Sequence, residues 1–208
     1  MLFYIDKMDT SSIELGLEDN NRSENKTENV IDTDYNLDTY YTLWFHKITD
    51  RNWDKSSYIK IGEIHSIRDF WEIYNSITDY SRGMFFLMHE DIDPIWETPR
   101  NIEGGFWSFR KTVNEANETW TALSVMLLVN DVLNYSREEN KESSEKQHCI
   151  NGISISPKVN NSVIKIWNNY SEYSDISLLG EKINEIFNVS SPLYKPHQNH
   201  KDVSKHRK

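Results

Sequence analysis

One cysteine, Cys149, is all the thiol this chain has, so no internal disulfide can form and a reducing compartment suits it. Apolar runs are short. Nothing approaches the roughly 20 residues that a membrane span needs, and the N-terminal MLFYI has neither the length nor the basic flank of a secretory leader. A cytosolic protein with no membrane partner is expected. Enzyme signatures are missing as well. The seven histidines show no metal-ligand spacing beyond His197 and His200 in a polar tail, and no phosphate-binding P-loop, nucleophile elbow or clustered glutamate motif occurs. Neither a catalytic centre nor a cofactor is therefore expected.

Positive charge is also in short supply, and the formal net charge is -10. Such a chain is a poor general binder of duplex, for which a basic stripe is expected. The charge is uneven. The first 34 residues carry nine acids against three bases, whereas Lys201, Lys205, Arg207 and Lys208 face only Asp202 in the last twelve. Residues 1–34 are polar with little apolar periodicity and read as a disordered acidic arm. Residues 35–197 read as one folded domain and 198–208 as a basic flexible tail. A small nucleotide held mainly by its base remains compatible with an acidic body.

What the chain does have is tryptophan: Trp44, Trp53, Trp71, Trp96, Trp107, Trp120 and Trp167. With a mean hydropathy of -0.72, seven indoles exceed what a core alone explains, and some are expected to serve recognition. Trp96 and Glu97 stand between Pro94 and Pro99, which bias the backbone towards a shaped loop. There the indole offers a stacking face, and the carboxylate can accept two parallel N–H donors such as the edge of a guanine. The alternative is a rim tryptophan with a solvated glutamate beside it. Trp53 lies in the polar stretch Thr49–Ser57 with few apolar neighbours, and is either a second platform or a surface plug.

Periodicity supplies the rest. Tyr40–His46, Tyr58–Ile64, Met84–His89 and Phe106–Val113 read as strands, and Ile150–Pro157 with Val163–Trp167 as a hairpin turning at Asn160-Asn161. Ser66 and Asp69 form a capping box ahead of the stripe Ile67, Phe70, Trp71, Tyr74, Ile77. Asn114 is expected to cap a helix from Glu115 to about Leu133, and Leu179, Ile183, Ile186 and Phe187 make a last helical face. Residues 136–148 are charged and read as a loop. Antiparallel strands with three amphipathic helices give an α+β domain, its helices packed on one face of a curved antiparallel sheet.

Taken in order, YNLDTYYTLWFHK, a Trp in the next loop, SIRDFWEIYNSI, IDPIWETPRN with GGFW, a Trp opening the middle helix, and GISISPK followed by IKIW resemble eukaryotic translation initiation factor 4E. The likeness to this messenger RNA cap-binding family runs from about Tyr35 to His197. The resemblance implies helices on the convex face of the sheet and a cap slot on the concave face. It also implies that Trp53 and Trp96 sandwich the 7-methylguanine, that Glu97 accepts its N–H groups, and that Trp167 lies against the methyl group.

Departures from the family pattern are equally legible. The arginine after the paired glycines is Phe106, and its acidic partner aligns with Met84, so one wall becomes apolar and additionally methylated caps are the expected preference. Of two basic hairpin positions one is kept as Lys158 and the other is Val163. Lys165, on the same strand face, is either the substitute phosphate contact or a solvated lysine, and Lys201 and Lys205 are a further source. On the back, Trp71 is kept, but Tyr35, Thr121 and Val125 replace residues that bind a scaffold initiation factor. A monomer serving initiation is expected, with a cap-binding repressor that does not recruit the scaffold as the alternative.

Overall fold

The computed structural model describes residues 35–77, 79–133, 149–187 and 193–198. The acidic arm, the charged loop at 136–148 and the tail lysines Lys201 and Lys205 lie outside them. Seven strands form one curved antiparallel sheet in the order β2-β1-β3-β5-β6-β4-β7. These are β1 Asn36–Lys47, β2 Tyr58–Ser66, β3 Gly83–His89, β4 Gly105–Thr112, β5 Ile150–Pro157, β6 Asn161–Asn168 and β7 Leu193–Pro196. Among the described residues the α-helices are α1 Ile67–Ser76, α2 Val113–Leu128 and α3 Glu181–Phe187, all on the convex side. None is long and apolar enough to cross a membrane.

Two-residue alternation sorts the side chains. Leu43, Phe85, Leu87, Trp107, Phe109, Ile153, Ile155, Ile164 and Ile166 point under the helices and join Phe70, Trp120, Leu123, Leu127, Ile183 and Phe187 in the main core. Their in-between neighbours Met84, Phe86, Met88, Phe106 and Trp167 point the other way and, with Ile92, make a second buried apolar cluster on the concave face. A sheet apolar on both faces but roofed by helices on one leaves the other to cover itself with loops, and those loops carry the conspicuous tryptophans.

The capping box forms as the sequence predicts: the Ser66 hydroxyl accepts from the Asp69 N–H, and Asp69 accepts from the Ser66 N–H. Two boundaries differ. The start of α2 is capped by Thr112 with Glu115, not by Asn114, because Thr112 ends the strand in extended geometry while Asn114 is already helical. That helix also stops at Leu128 instead of running to Leu133. Asn130 takes a left-handed conformation, φ 55°, while the Asn130 and Asp131 N–H groups bond back to the Leu127 and Met126 carbonyls, the closed C-terminal pattern that ends helices. Strand β7 is an addition. Four residues ending in a proline give no readable alternation, yet Leu193–Pro196 pairs with Ser108–Gly105.

Candidate functional site

On the concave face, Phe106, Met84 and Trp167 are buried together with Phe86, Met88 and Ile92, and Trp44, Tyr58 and Trp96 pack against them half-buried. Trp167 is the floor. Its indole N–H donates to the Ser154 hydroxyl at 2.9 Å, and its ring meets those of Phe86, Phe106 and His197 at 6.2, 6.2 and 5.0 Å. Where the resemblance implied a charged pair, Phe106 and Met84 form a packed apolar wall.

Trp53 rises from the β1–β2 loop with half its surface exposed (50%). Its indole lies flat on the imidazole of His46, centroids 4.5 Å apart and planes 2° from parallel. His46 is fully buried; its Nε2 faces the Asn52 carbonyl at 2.8 Å, and since a carbonyl only accepts, this nitrogen carries the proton. Asx bonds from the Asn52 N–H to Asp50 and from the Asp54 N–H to Asn52 tighten the loop. The outer face of the indole is thus open while its inner face is held.

Asn101 organises the loop that carries Trp96. Fully buried, its amide N–H₂ faces the carbonyls of Asp93 and Ile95 at 2.9 and 2.8 Å and the Thr98 hydroxyl at 3.2 Å, bracketing the residues that lead into Trp96. Its side-chain oxygen accepts from Asn151 at 2.9 Å, and His197 Nδ1 bonds its backbone carbonyl at 2.6 Å. Glu97 is exposed on this loop, and its charge adds to burial in pushing the Tyr58 phenol above its ordinary pKa, which puts the carboxylate beside the slot rim. An ion pair from Lys55 Nζ to Asp93, 2.9 Å, ties the two tryptophan loops together.

The sequence profile of the family described as Eukaryotic initiation factor 4E matches residues 36–208. The chain belongs to this family. A relative from Oryza sativa subsp. japonica, Eukaryotic translation initiation factor NCBP, is 28% identical over 170 residues, 76% of this chain and 69% of that protein. Among solved structures, the complex of Ascaris suum eIF4E-3 with the m2,2,7G cap superposes with a TM-score of 0.63 at 20% identity, over 79% of this chain and 92% of that one. Schistosome eIF4E complexed with m7GpppA and 4E-BP gives 0.67 at 18% identity, over 81% and 91%. At these identities the structures establish the shared fold.

In this member of the initiation factor 4E family, basic residues stand on the side of the slot beyond Phe106. Lys165 lays its Nζ 4.0 Å from the Phe106 ring centroid, so it is not a free surface lysine. Lys158 is exposed in the β5–β6 turn. Sequence reasoning missed Lys195, which β7 sets directly opposite Phe106, and it missed the supporting roles of Asn101 and His46. An asparagine two residues after Pro99 and a polar residue ending an aromatic run were their only signals.

Burial first, then the neighbouring charges of Lys158 and Lys195, pull the Lys165 amine down from 10.5 to about 8. With the folded pKa below the unfolded one, the unfolded chain binds more protons between about pH 8 and 10.5, so stability rises with pH through that window. Below about pH 8 the penalty is fully present. Lys165→Met is expected to stabilise the unliganded protein at pH 7 by about 1–3 kcal/mol and to remove that rise. Urea unfolding of both proteins from pH 7 to 9.5 measures the difference.

On the back, Trp71 stands 40% exposed on α1, against Phe70 and Tyr74. Tyr35 is exposed, while Thr121 and Val125 are half-buried. The Tyr74 and Thr121 hydroxyls hydrogen-bond each other and join α1 to α2.

Proposed function

We propose that this chain binds the 7-methylguanosine cap of messenger RNA, as a non-catalytic factor of translation initiation in the cytoplasm. The observation that carries this reading is the paired presentation of Trp53 and Trp96. Two loops, cross-tied by Lys55 and Asp93, hold one exposed and one half-buried indole beside the Glu97 carboxylate and above an apolar floor. Methylation makes guanine a cation. Two indole faces then gain cation–π attraction beyond stacking, and Glu97 accepts charge-assisted bonds. Unmethylated guanine forfeits both. The relatives solved with cap analogues support the same ligand class.

Two stacking platforms contribute roughly 1–3 kcal/mol each and the charged hydrogen bonds roughly 1.5–3. Association costs at least ~4 kcal/mol, and micromolar binding needs about 8 net, so base recognition alone is marginal and phosphate contacts decide affinity. The apolar wall of Phe106 and Met84 favours caps with further methyl groups, at roughly 0.8 kcal/mol for each one buried.

A single tryptophan-fluorescence titration series tests these points. Strong quenching is expected with 7-methylguanosine triphosphate and little with GTP, and dinucleotide caps with ribose methylation are expected to bind several-fold tighter than those without. Equal response to GTP would remove the base reading, and equal affinity for the two dinucleotides would remove the methyl preference. A second reading, a cap-binding repressor, is favoured by the back surface: the Thr121 hydroxyl is engaged by Tyr74 where the family pattern presents scaffold-binding residues. Capture of a scaffold peptide by the capped complex would favour the initiation factor, and its absence the repressor.

A further inference from the structure

Beneath the Trp53 platform lies a titratable ring with one bare nitrogen. His46 is fully buried, and its imidazole carries the Trp53 indole face to face at 4.5 Å. Across the sheet it is paired with Tyr58 of β2 and Met84 of β3, and the Tyr58 ring leans on it at 4.7 Å and 56°. Nε2 faces the Asn52 carbonyl. Nδ1 is buried and meets no hydrogen-bond partner among the described residues. A phenyl ring would support Trp53 without burying a bare nitrogen, so packing alone does not explain a histidine here.

A proton on Nδ1 would add a donor with nothing to accept from it in a site closed to water. It would also make the ring a cation, lying on the inner face of an indole whose outer face is open. An indole attracts a cation on either face, but two cations sharing one indole repel each other across about 10 Å. The 7-methylguanine base is such a second cation. The ionisable groups on the elements packed around His46 are Lys47 on β1, Asp50, Arg51, Asp54 and Lys55 in the loop, and Tyr58 on β2, while residues 83–86 of β3 have none. Lys55 is paired with Asp93, and burial keeps the Tyr58 phenol neutral. Glu97 acts electrostatically on Tyr58, and on the cap reading a seated base occupies that carboxylate. A bound cap therefore brings a positive charge towards His46 and takes up a negative one.

Resting on the cap reading above, we propose that His46 is a positioning residue for the cap that works only as the neutral imidazole: it holds Trp53 flat for the base, and a proton on it weakens cap binding. The slot is thereby sensitive to pH in the range where histidine side chains change charge, about pH 5 to 8. Protonation and cap binding oppose each other, so affinity falls as pH falls and a bound cap expels the proton.

The test titrates 7-methylguanosine triphosphate into wild type, His46→Phe and His46→Gln from pH 8 to pH 5.5, following tryptophan fluorescence. Phenylalanine keeps the ring and loses the donor to Asn52, glutamine keeps a donor and loses the ring, and neither takes up a proton. Proton equilibria of the ligand and of Glu97 affect all three proteins alike, so the ratio of variant to wild-type affinity isolates His46. That ratio is expected to rise about tenfold from pH 8 to pH 5.5, with His46→Gln starting from the lower value. A ratio constant within twofold in a folded variant would overturn the proposal. Nitrogen-15 resonances of the His46 ring in wild type ask the same question without a substitution. At pH 5.5 they are expected to move towards the neutral form when the cap binds, and an unchanged charge state would equally overturn the proposal. Failure of wild type to bind the ligand at any pH would instead overturn the cap reading, and this proposal with it.

Discussion

Trp96→Ala is expected to weaken binding of 7-methylguanosine triphosphate by about 30- to 1,000-fold, the equivalent of roughly 2–4 kcal/mol. The substitution removes one stacking face, worth roughly 1–3 kcal/mol, and its attraction for the cationic base, roughly 0.5–2 more. Because Trp96 is half-buried on the concave cluster, alanine also opens a gap there. Trp96→Leu separates the two causes: it restores most of the packing and none of the flat π-face. Both variants are expected to bind weakly, with the leucine protein close to wild type in its urea midpoint. Affinity for the triphosphate within threefold of wild type in Trp96→Leu would mean that the ligand does not stack there.

Asn101→Ala is expected to cost about 3 kcal/mol or more of folding stability. The asparagine sits fully buried between three acceptors and one donor, and each buried polar partner left unmet costs about 1–3 kcal/mol. Asn101→Asp is expected to be as damaging, although it keeps size and shape, because it turns an oxygen towards the carbonyls of Asp93 and Ile95. Chemical denaturation checks the stability. Cap titration at a temperature where the variants stay folded is expected to show weaker binding too, since those carbonyls belong to the residues that present Trp96. A stability within 1 kcal/mol of wild type in Asn101→Asp would show that packing, and not the hydrogen bonds, holds the loop.

Both experiments bear on how the fold divides its labour. Trp53 is fixed from beneath by a histidine, and Trp96 from behind by an asparagine whose partners reach to Asn151 and His197. Neither of these supports comes from a helix. Phe106, Met84 and Trp167 belong to the apolar cluster of the concave face, separate from the main core on the other side of the sheet. Burial lowers the pKa of the Lys165 amine to about 8, so this cation is expected to destabilise the free protein.

Local periodicity and capping chemistry are properties of short stretches, so six of the strands, the capping box of α1 and the existence of three helices could be read from the chain alone. The same holds for Trp53, Trp96 and Glu97 as slot candidates, because prolines and polar flanks mark their loops without reference to anything distant. The ordered tryptophan motifs, distributed from Tyr35 to His197, identified the family for the same reason. Other features depend on segments far apart in sequence. The end of α2 is set by a left-handed Asn130, and β7 exists because the Gly104-Gly105 edge has room for it. Asn101 acts through residues up to 96 positions away, and Lys195 becomes a slot residue only when β7 pairs beside Phe106. No local pattern encodes such proximities, because they arise from the order in which strands share hydrogen bonds. The sequence determined which side chains this protein could offer to the proposed cationic base, and the tertiary structure decided which lysines stand beside Phe106, because that nearness follows from strand order and not from spacing along the chain.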